Sequence, residues 1–381
     1  MINLLSITST FPRNKQDSWG NFILELLQEF EKKSIKVFVL TQRYRNDKKD
    51  EKFGNITVIR FPWLHPAEFI RIVDFKKTPM IRLLTYFSSA MVSINKLIKR
   101  EKIQIIHANW IIPAGLIGFL AKIIYKRPLI ITARGSDVNI WSKKRFFSPL
   151  VRFILKYCDA VVVVSHELSK KIEKFGIRPQ KIHIIWHGVH PKKIIIKQRY
   201  KKSLLFVGAL REVKGLTYLI RAFKIVKDHF NDVRLNIVGD GIFRDELIKE
   251  INNLNLSSQV KLLGKIPNNR VIELMAESGI LILPSISEGL PRVIIEAMTQ
   301  KLPVIATAVG GNIEIIDPNV TGLLVQPKDE KKLSRAIINL IKDPNYAEML
   351  AENAFQFAKE QFNWENTVKK YQNVFRLVTT R

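Results

Sequence analysis

Glu288 and Glu296 have seven residues between them in Leu283-Pro-Ser-Ile-Ser-Glu-Gly-Leu-Pro-Arg-Val-Ile-Ile-Glu-Ala-Met298. Ionised carboxylates only accept hydrogen bonds, so each could take the two hydroxyls of a neighbouring diol. Glu288, just ahead of a helix, suits the hydroxyls of a sugar, and Glu296, farther along it, suits a ribose. Pro291 fits the first turn of that helix, which leaves Gly289 and Leu290 to present backbone N–H groups to an anion. Taken alone, the same two glutamates describe a helix-dipole partner and a surface charge equally well.

A second segment offers the complementary charge. In Phe206-Val-Gly-Ala-Leu-Arg-Glu-Val-Lys-Gly215 an apolar run ends at Gly208 and is followed by two cations, Arg211 and Lys214. If the run is a strand and a helix follows, Gly208 admits close backbone approach, and the cations with the helix N-terminus form a cradle for a diphosphate. A solvated loop would carry the same residues. Val238-Gly-Asp-Gly241 ends the next apolar run in a similar way, and its glycines are read as serving the turn. His107 closes another run, where it either packs or touches a substrate, and His166, His187 and His190 share no metal-ligand spacing.

These residues need a scaffold that brings strand ends together. Short β-branched runs recur with helical stretches between them: Asn3–Ile7, Ile35–Leu40, Ile103–His107, Leu129–Thr132 and Ala160–Val164, then Leu204–Gly208, Arg234–Val238, Val260–Leu263, Ile280–Leu283, Pro303–Ala306 and Gly322–Val325. Runs apolar on both faces and alternating with helices predict parallel, doubly wound α/β sheets. The pattern restarts after a basic, aperiodic stretch at residues 191–202, and 381 residues suit two cores. Three helices are expected to close the chain, over Glu330–Lys342, Tyr346–Gln361 and Glu365 to about Val378.

Composition narrows the setting. A single cysteine, Cys158, leaves no disulfide framework or multi-cysteine metal site, so a reducing cytoplasm is expected. Met1 to Thr8 reads as a first strand, not a signal peptide. The apolar stretch Ile111–Thr132 is cut by Pro113, Lys122, Lys126, Arg127 and Pro128, so it reads as a buried helix and a strand rather than a membrane span. The net charge is +28: residues 1–195 hold 35 basic and 14 acidic side chains, the remainder 27 and 20. The first half is therefore suited to an anionic partner or surface, unless the excess is compositional habit. Two amphipathic segments, Lys143–Lys156 and Met80–Arg100 with its stripe of Leu84, Phe87, Met91, Ile94 and Ile98, could lie on an anionic bilayer or pack on their own sheet.

With Leu302-Pro-Val-Ile-Ala-Thr-Ala-Val-Gly-Gly-Asn-Ile-Glu314 and Thr321-Gly-Leu-Leu-Val325 following the glutamate pair, the series resembles the retaining, nucleotide-sugar-dependent glycosyltransferases of family four, which have the GT-B fold. Earlier segments fall in the same family order: Ile105-Ile-His-Ala-Asn-Trp110, Pro113-Ala-Gly115, Thr132-Ala-Arg-Gly-Ser-Asp-Val138, Val164-Ser-His-Glu167 and Trp186-His-Gly-Val189, with Gln361-Phe-Asn-Trp-Glu365 near the end. The resemblance covers almost the whole chain. It implies two Rossmann-like parallel-sheet domains facing a central cleft: an acceptor domain over 1–195, a nucleotide-sugar domain over 196–362, and a helix over 363–381 crossing back to the first.

The resemblance also implies roles. Arg211 and Lys214 would meet the donor diphosphate, with Gly208 and the backbone of Gly289, Leu290 and Pro291 lining it. Glu288 would face the transferred sugar and Glu296 the ribose, and the base would rest near Ile266 and Pro267. Gly20, in Ser18-Trp-Gly-Asn21, would close on the reacting centre. His107, Arg134 and Asp137 are candidate acceptor or sugar contacts. Arg134 departs from the family, where many members have histidine, and Ala209 stands where some have arginine. No metal and no cofactor beyond the nucleotide sugar is implied, and the acceptor would be a carbohydrate or a lipid-linked molecule; the basic first half is what would bring the chain from the cytoplasm to the inner face of the cell membrane to meet it. A nucleotide-sugar epimerase on the same fold is the nearest alternative. A nicotinamide oxidoreductase lacks its glycine fingerprint, because the first strand leads into Ser9-Thr-Phe-Pro12. A nucleic-acid-binding protein is suggested by charge alone, and no nucleic-acid partner is expected.

Overall fold

The computed structural model describes residues 2–14, 17, 20–44, 47–64, 79–139, 148–189 and 199–380. Ser18 and Trp19, residues 143–147 of the basic amphipathic segment, His190 and most of the aperiodic stretch lie outside the described residues. The chain divides into two compact units, one of residues 1–186 with 364–381, the other of residues 187–363.

The first unit is built on eight strands: β1 (Ile2–Ile7), β2 (Ile35–Gln42), β3 (Asp50–Phe53), β4 (Ile56–Phe61), β5 (Ile105–Asn109), β6 (Leu129–Ala133), β7 (Ala160–Val163) and β8 (Ile182–Ile184). Their order is β3-β4-β2-β1-β5-β6-β7-β8, parallel throughout except for the β3–β4 pair. β5, β6 and β7 are buried along their whole length, as a sheet covered on both faces requires. The helix Asn21–Lys32 turns Ile23, Leu26, Leu27 and Phe30 onto the sheet, the spacing of one helical face.

Beside it lies the last helix, Trp364–Thr379, whose Tyr371 and Phe375 rings meet Phe30 edge-on at 5.1 and 5.4 Å. The chain thus ends in the core it began with. In the helix Met80–Glu101 the buried positions are Tyr86, Ala90, Ile94 and Leu97, while Leu84 is exposed. The expected stripe was therefore centred on the wrong face. That helix carries apolar residues around more of its circumference than it buries, so periodicity alone did not orient it.

The second unit contains β9 (Tyr200–Val207), β10 (Arg234–Val238), β11 (Val260–Gly264), β12 (Ser278–Leu283), β13 (Val304–Thr307) and β14 (Leu323–Val325), all parallel, in the order β11-β10-β9-β12-β13-β14. The chain winds outward from β9 in one direction, returns, and winds outward from β12 in the other. The turns leaving β9 and β12 therefore diverge at the carboxyl edge, the place where open α/β sheets hold ligands. In the first unit the same divergence falls between β1 and β5.

The tryptophans among the described residues, Trp63, Trp110, Trp186 and Trp364, belong to the first unit, so their fluorescence follows that unit. Phe375 is wholly buried, and Phe375→Ala is expected to cost the first unit about 3–5 kcal/mol. The check is an earlier urea midpoint by tryptophan fluorescence; an unmoved midpoint would mean the last helix adds nothing to that core.

Candidate functional site

At the end of β9 the backbone is held tightly against the turn after β10. Gly208 N–H donates to Val238 O at 3.0 Å, Leu210 N–H to Asp240 O at 3.0 Å, and Phe243 N–H to Leu210 O at 3.1 Å. A Cβ on Gly239 would lie 1.8 Å from Gly208 O, and one on Gly241 2.2 Å from Leu210 O. Both glycines are structural, as expected, and the demand on them is close approach of two chains.

Past that clasp, Arg211 is exposed and a short turn, Glu212–Lys214, leads through Gly215 into the helix Leu216–His229. Gly215 sits at φ +66°, and a Cβ there would fall 2.0 Å from Pro284 O in the turn after β12. Ile286 N–H donates to Val213 O at 2.8 Å across the same gap. The two turns thus touch backbone to backbone, which brings Lys214 to Glu288: its Nζ donates to Glu288 Oε1 at 2.6 Å. Ser285 Oγ donates to the same oxygen at 2.6 Å. The Glu288 side chain is 9% exposed and that of Lys214 23%, so the pair is charge-assisted and partly desolvated.

Gly289 and Leu290 follow, and among the described residues their N–H groups meet no acceptor. Gly311, after β13, supports them from behind: its N–H donates to Gly289 O at 2.8 Å, and a Cβ on it would lie 2.2 Å from that oxygen. Pro291 is one position earlier than expected. With ψ 103° it precedes the helix, which runs Arg292–Thr299. Glu296 is one turn in, its Oε1 3.5 Å from Arg292 Nη2. Ile266 and Pro267 follow β11, with Pro267 capping the helix Asn268–Glu277. Because all six strands are parallel, Gly208, Arg211, Lys214, Ile266, Glu288 and Gly289 share one edge of the second unit.

In the first unit, Gly20 sits at φ +79° at the start of the helix Asn21–Lys32, and a Cβ there would lie 2.8 Å from Thr10 O. Arg134 follows β6, its Nη2 donating to Asn109 Oδ1 at 2.6 Å and its guanidinium 5.0 Å from the Phe22 ring centroid. Asn109 in turn donates to Ser6 Oγ of β1 at 3.3 Å, so Arg134 is tied to the divergence of β1 and β5.

Two candidates are corrected. His107 is wholly buried, its Nε2 2.8 Å from Thr132 Oγ1, which is 3.1 Å from Tyr371 OH. It is an internal tie to the last helix through Thr132. Asp137 is also buried, and its two oxygens accept from the N–H groups of Ile111, Arg134, Gly135 and Val138 at 2.9 to 3.1 Å. It fixes two loops. Burial raises its pKa, opposed by the backbone N–H groups of Ile111, Arg134, Gly135 and Asp137 itself. Sequence reasoning missed Ser285, Asn109 and Thr132, because nothing in their type or spacing says where a hydroxyl or amide points.

Residues 20–193 match the family described as Glycosyltransferase Family 4, and residues 191–357 match Glycosyl transferases group 1. N-acetyl-alpha-D-glucosaminyl L-malate synthase of Bacillus anthracis is 30% identical over 292 residues, 73% of this chain and 75% of that one. The chain belongs to the family 4 glycosyltransferases. Sucrose-phosphate synthase from Thermosynechococcus elongatus superposes with a TM-score of 0.86 at 20% identity over all of both chains. Anabaena HepE in complex with UDP-glucose does so at 0.77 and 19%, over 99% of this chain and all of that one. This glycosyltransferase therefore has the GT-B fold and is a hexosyltransferase-type enzyme, and the epimerase alternative is not favoured.

Burial, with Arg134 adding to it, lowers the His107 pKa in the glycosyltransferase to about 3. The unfolded chain takes up a proton near pH 6.5 that the native imidazole refuses until about pH 3. Its contribution is intact above pH 6.5 and is lost as pH falls through that window. In His107→Asn the acid dependence of unfolding should be shallower by up to about 1.4 kcal/mol per pH unit. Parallel wild-type and variant curves from pH 7 to 4 would contradict the buried neutral imidazole.

Proposed function

We propose that this enzyme transfers a sugar, with retention at the anomeric carbon, from a nucleoside-diphosphate sugar to an acceptor hydroxyl in cell-envelope polysaccharide or glycolipid synthesis. The observation carrying the donor assignment is the meeting of Lys214, Glu288 and the open N–H groups of Gly289 and Leu290 where β9 and β12 diverge. The Anabaena neighbour was solved with UDP-glucose, and the Bacillus relative is named for a glucosaminyl transfer product. On this reading the second unit takes the donor and the first takes the acceptor.

Breaking the bond from the anomeric carbon to the diphosphate oxygen builds positive character on the ring and negative charge on the leaving group. Arg211, Lys214 and the two amides act on the leaving group, stabilisation that is in place before the reaction begins. Glu288 holds the sugar, Glu296 the ribose, and Ile266 with Pro267 the base. Since cations and amides of the chain itself neutralise the diphosphate, no metal or cofactor is required. In a front-face route the departing phosphate accepts the acceptor's proton, so no side chain need act as base. Full transfer activity in EDTA is the expected result; abolition restored by a divalent cation would refute metal independence.

The donor is identified by thermal shift with UDP-, GDP- and ADP-sugars. Lys214→Ala and Glu288→Ala should each remain folded and lose about 100-fold or more in transfer, the size of a lost electrostatic contact to the transition state. Full activity in either variant would remove the assigned roles.

For the membrane face, support comes from the helix Ser148–Tyr157, which buries Val151, Ile154 and Leu155 and turns Arg152, Phe153, Lys156 and Tyr157 outward. Ile123 and Ile124 are about as exposed as Phe153 and Tyr157, at 50 and 59%. Among the described residues no helix is long and apolar enough to cross a membrane, and a basic apolar patch suits the surface of an anionic bilayer. Phe153→Ala with Tyr157→Ala should weaken binding to acidic liposomes at low salt; equal partition of the wild type between neutral and acidic liposomes would refute the docking.

A further inference from the structure

Glu288 is anchored unevenly. Both of its described partners, Lys214 Nζ and Ser285 Oγ, donate to Oε1, each at 2.6 Å. Among the described residues no donor reaches Oε2. One carboxylate oxygen is fixed and the other is left to accept.

The two anchors differ in kind. Lys214 carries three donors on a flexible stem and is 23% exposed, so its ammonium can turn toward a second anion. Ser285 is wholly buried and is itself fixed. Thr307 Oγ1 donates to Ser285 O at 2.5 Å, and Asn312 Nδ2 donates to Thr307 O at 2.8 Å. These contacts hold the backbone from which the serine hydroxyl projects, and they come from β13 and the turn behind Gly289 rather than from the turn that carries Lys214.

We infer that Ser285 is a positioning residue for the transferred sugar: it keeps Oε1 of Glu288 in place when Lys214 turns to the donor diphosphate, so that Oε2 stays aimed at a sugar hydroxyl. This rests on the reading above, in which Glu288 faces the sugar and Lys214 the diphosphate. Without the serine, a carboxylate on three rotatable bonds would follow the departing lysine or swing to water. The loss would fall on recognition of the sugar and on the rate of transfer, leaving recognition of the nucleotide intact. Thr307 and Asn312 act one step further back, through the serine's backbone.

The test compares Ser285→Ala, Ser285→Thr and Glu288→Ala with the wild type, using UDP and UDP-glucose, or the corresponding nucleotide and nucleotide sugar that the donor panel selects. Three quantities are read: the thermal shift with the nucleotide, the further shift with the nucleotide sugar, and kcat against KM. Ser285→Ala should keep the nucleotide shift, lose most of the sugar-dependent increment with a matching rise in the donor KM, and fall about 10- to 100-fold in kcat/KM, the range for one hydrogen bond to a charged group. Ser285→Thr, which retains the hydroxyl, should restore much of both.

Three results would overturn the inference: an unchanged increment and kcat/KM in Ser285→Ala, a loss of the nucleotide shift along with the sugar increment, or a threonine variant no better than alanine. Glu288→Ala separates this from the underlying reading. If Glu288→Ala loses the increment while Ser285→Ala keeps it, the serine has no positioning role and the assignment of Glu288 stands. If Glu288→Ala keeps it, the assignment of Glu288 to the sugar has failed first.

Discussion

The turn after β9 and the turn after β12 lie against one another with no room for a side chain, and the placing of the charged side chains at this edge of the second unit depends on that contact. Gly215 would place a Cβ 2.0 Å from Pro284 O, so any other residue must force the turns apart. Separation would cost the Ile286-to-Val213 hydrogen bond and, with it, the reach of Lys214 to Glu288. Three further backbone contacts act in the same sense: Gly239 on Gly208, Gly241 on Leu210, and Gly311 on Gly289. Together they clasp the loops of β9, β10, β12 and β13 along one edge. The glycines serve approach, and the approach sets where the charged side chains stand.

Once the loops are clasped, the electrostatics follow. Glu288 is nearly buried, and a carboxylate in that position needs a counter-charge and hydrogen bonds to offset lost hydration. Lys214 and Ser285 provide them. A lysine already committed to a carboxylate can still engage a diphosphate, because an ammonium distributes three donors. The ion pair therefore offsets the burial of Glu288 while leaving the lysine able to change partners. Arg211, exposed on the same turn, has no such commitment among the described residues and is open to meet an incoming anion.

Much of this was legible in the sequence, and the omissions have physical reasons. Short β-branched runs located β1, β2, β5, β6, β7 and the strands of the second unit, since strands buried on both faces are apolar along most of their length. β3, β4 and β8 went unread because β3 and β8 are short and lie at the sheet's two edges, and β4, beside β3, mixes Thr57 and Arg60 into its run. Pro291 was displaced by one residue because proline is accepted both within a first turn and just before it. The spacing of the two glutamates marks the helix they flank but says nothing of Ser285, whose hydroxyl is directed by a backbone that β13 holds. His107 drew attention through its type; only the packing of the last helix shows that it is sealed inside.

The two units also separate carboxylates that organise from carboxylates that can exchange partners. Asp137 is buried and engaged by four backbone N–H groups, donors that belong to the fold and cannot leave without unfolding a loop. Glu288 is held at one oxygen by two side chains, of which the lysine can turn to another anion at little cost. A ligand can displace a side chain from a carboxylate; it cannot readily displace a set of main-chain amides. Both groups are acids near the carboxyl edge of a parallel sheet, and residue type alone does not distinguish them. What distinguishes the two is whether the partners can turn away, and that is set by which elements the partners belong to.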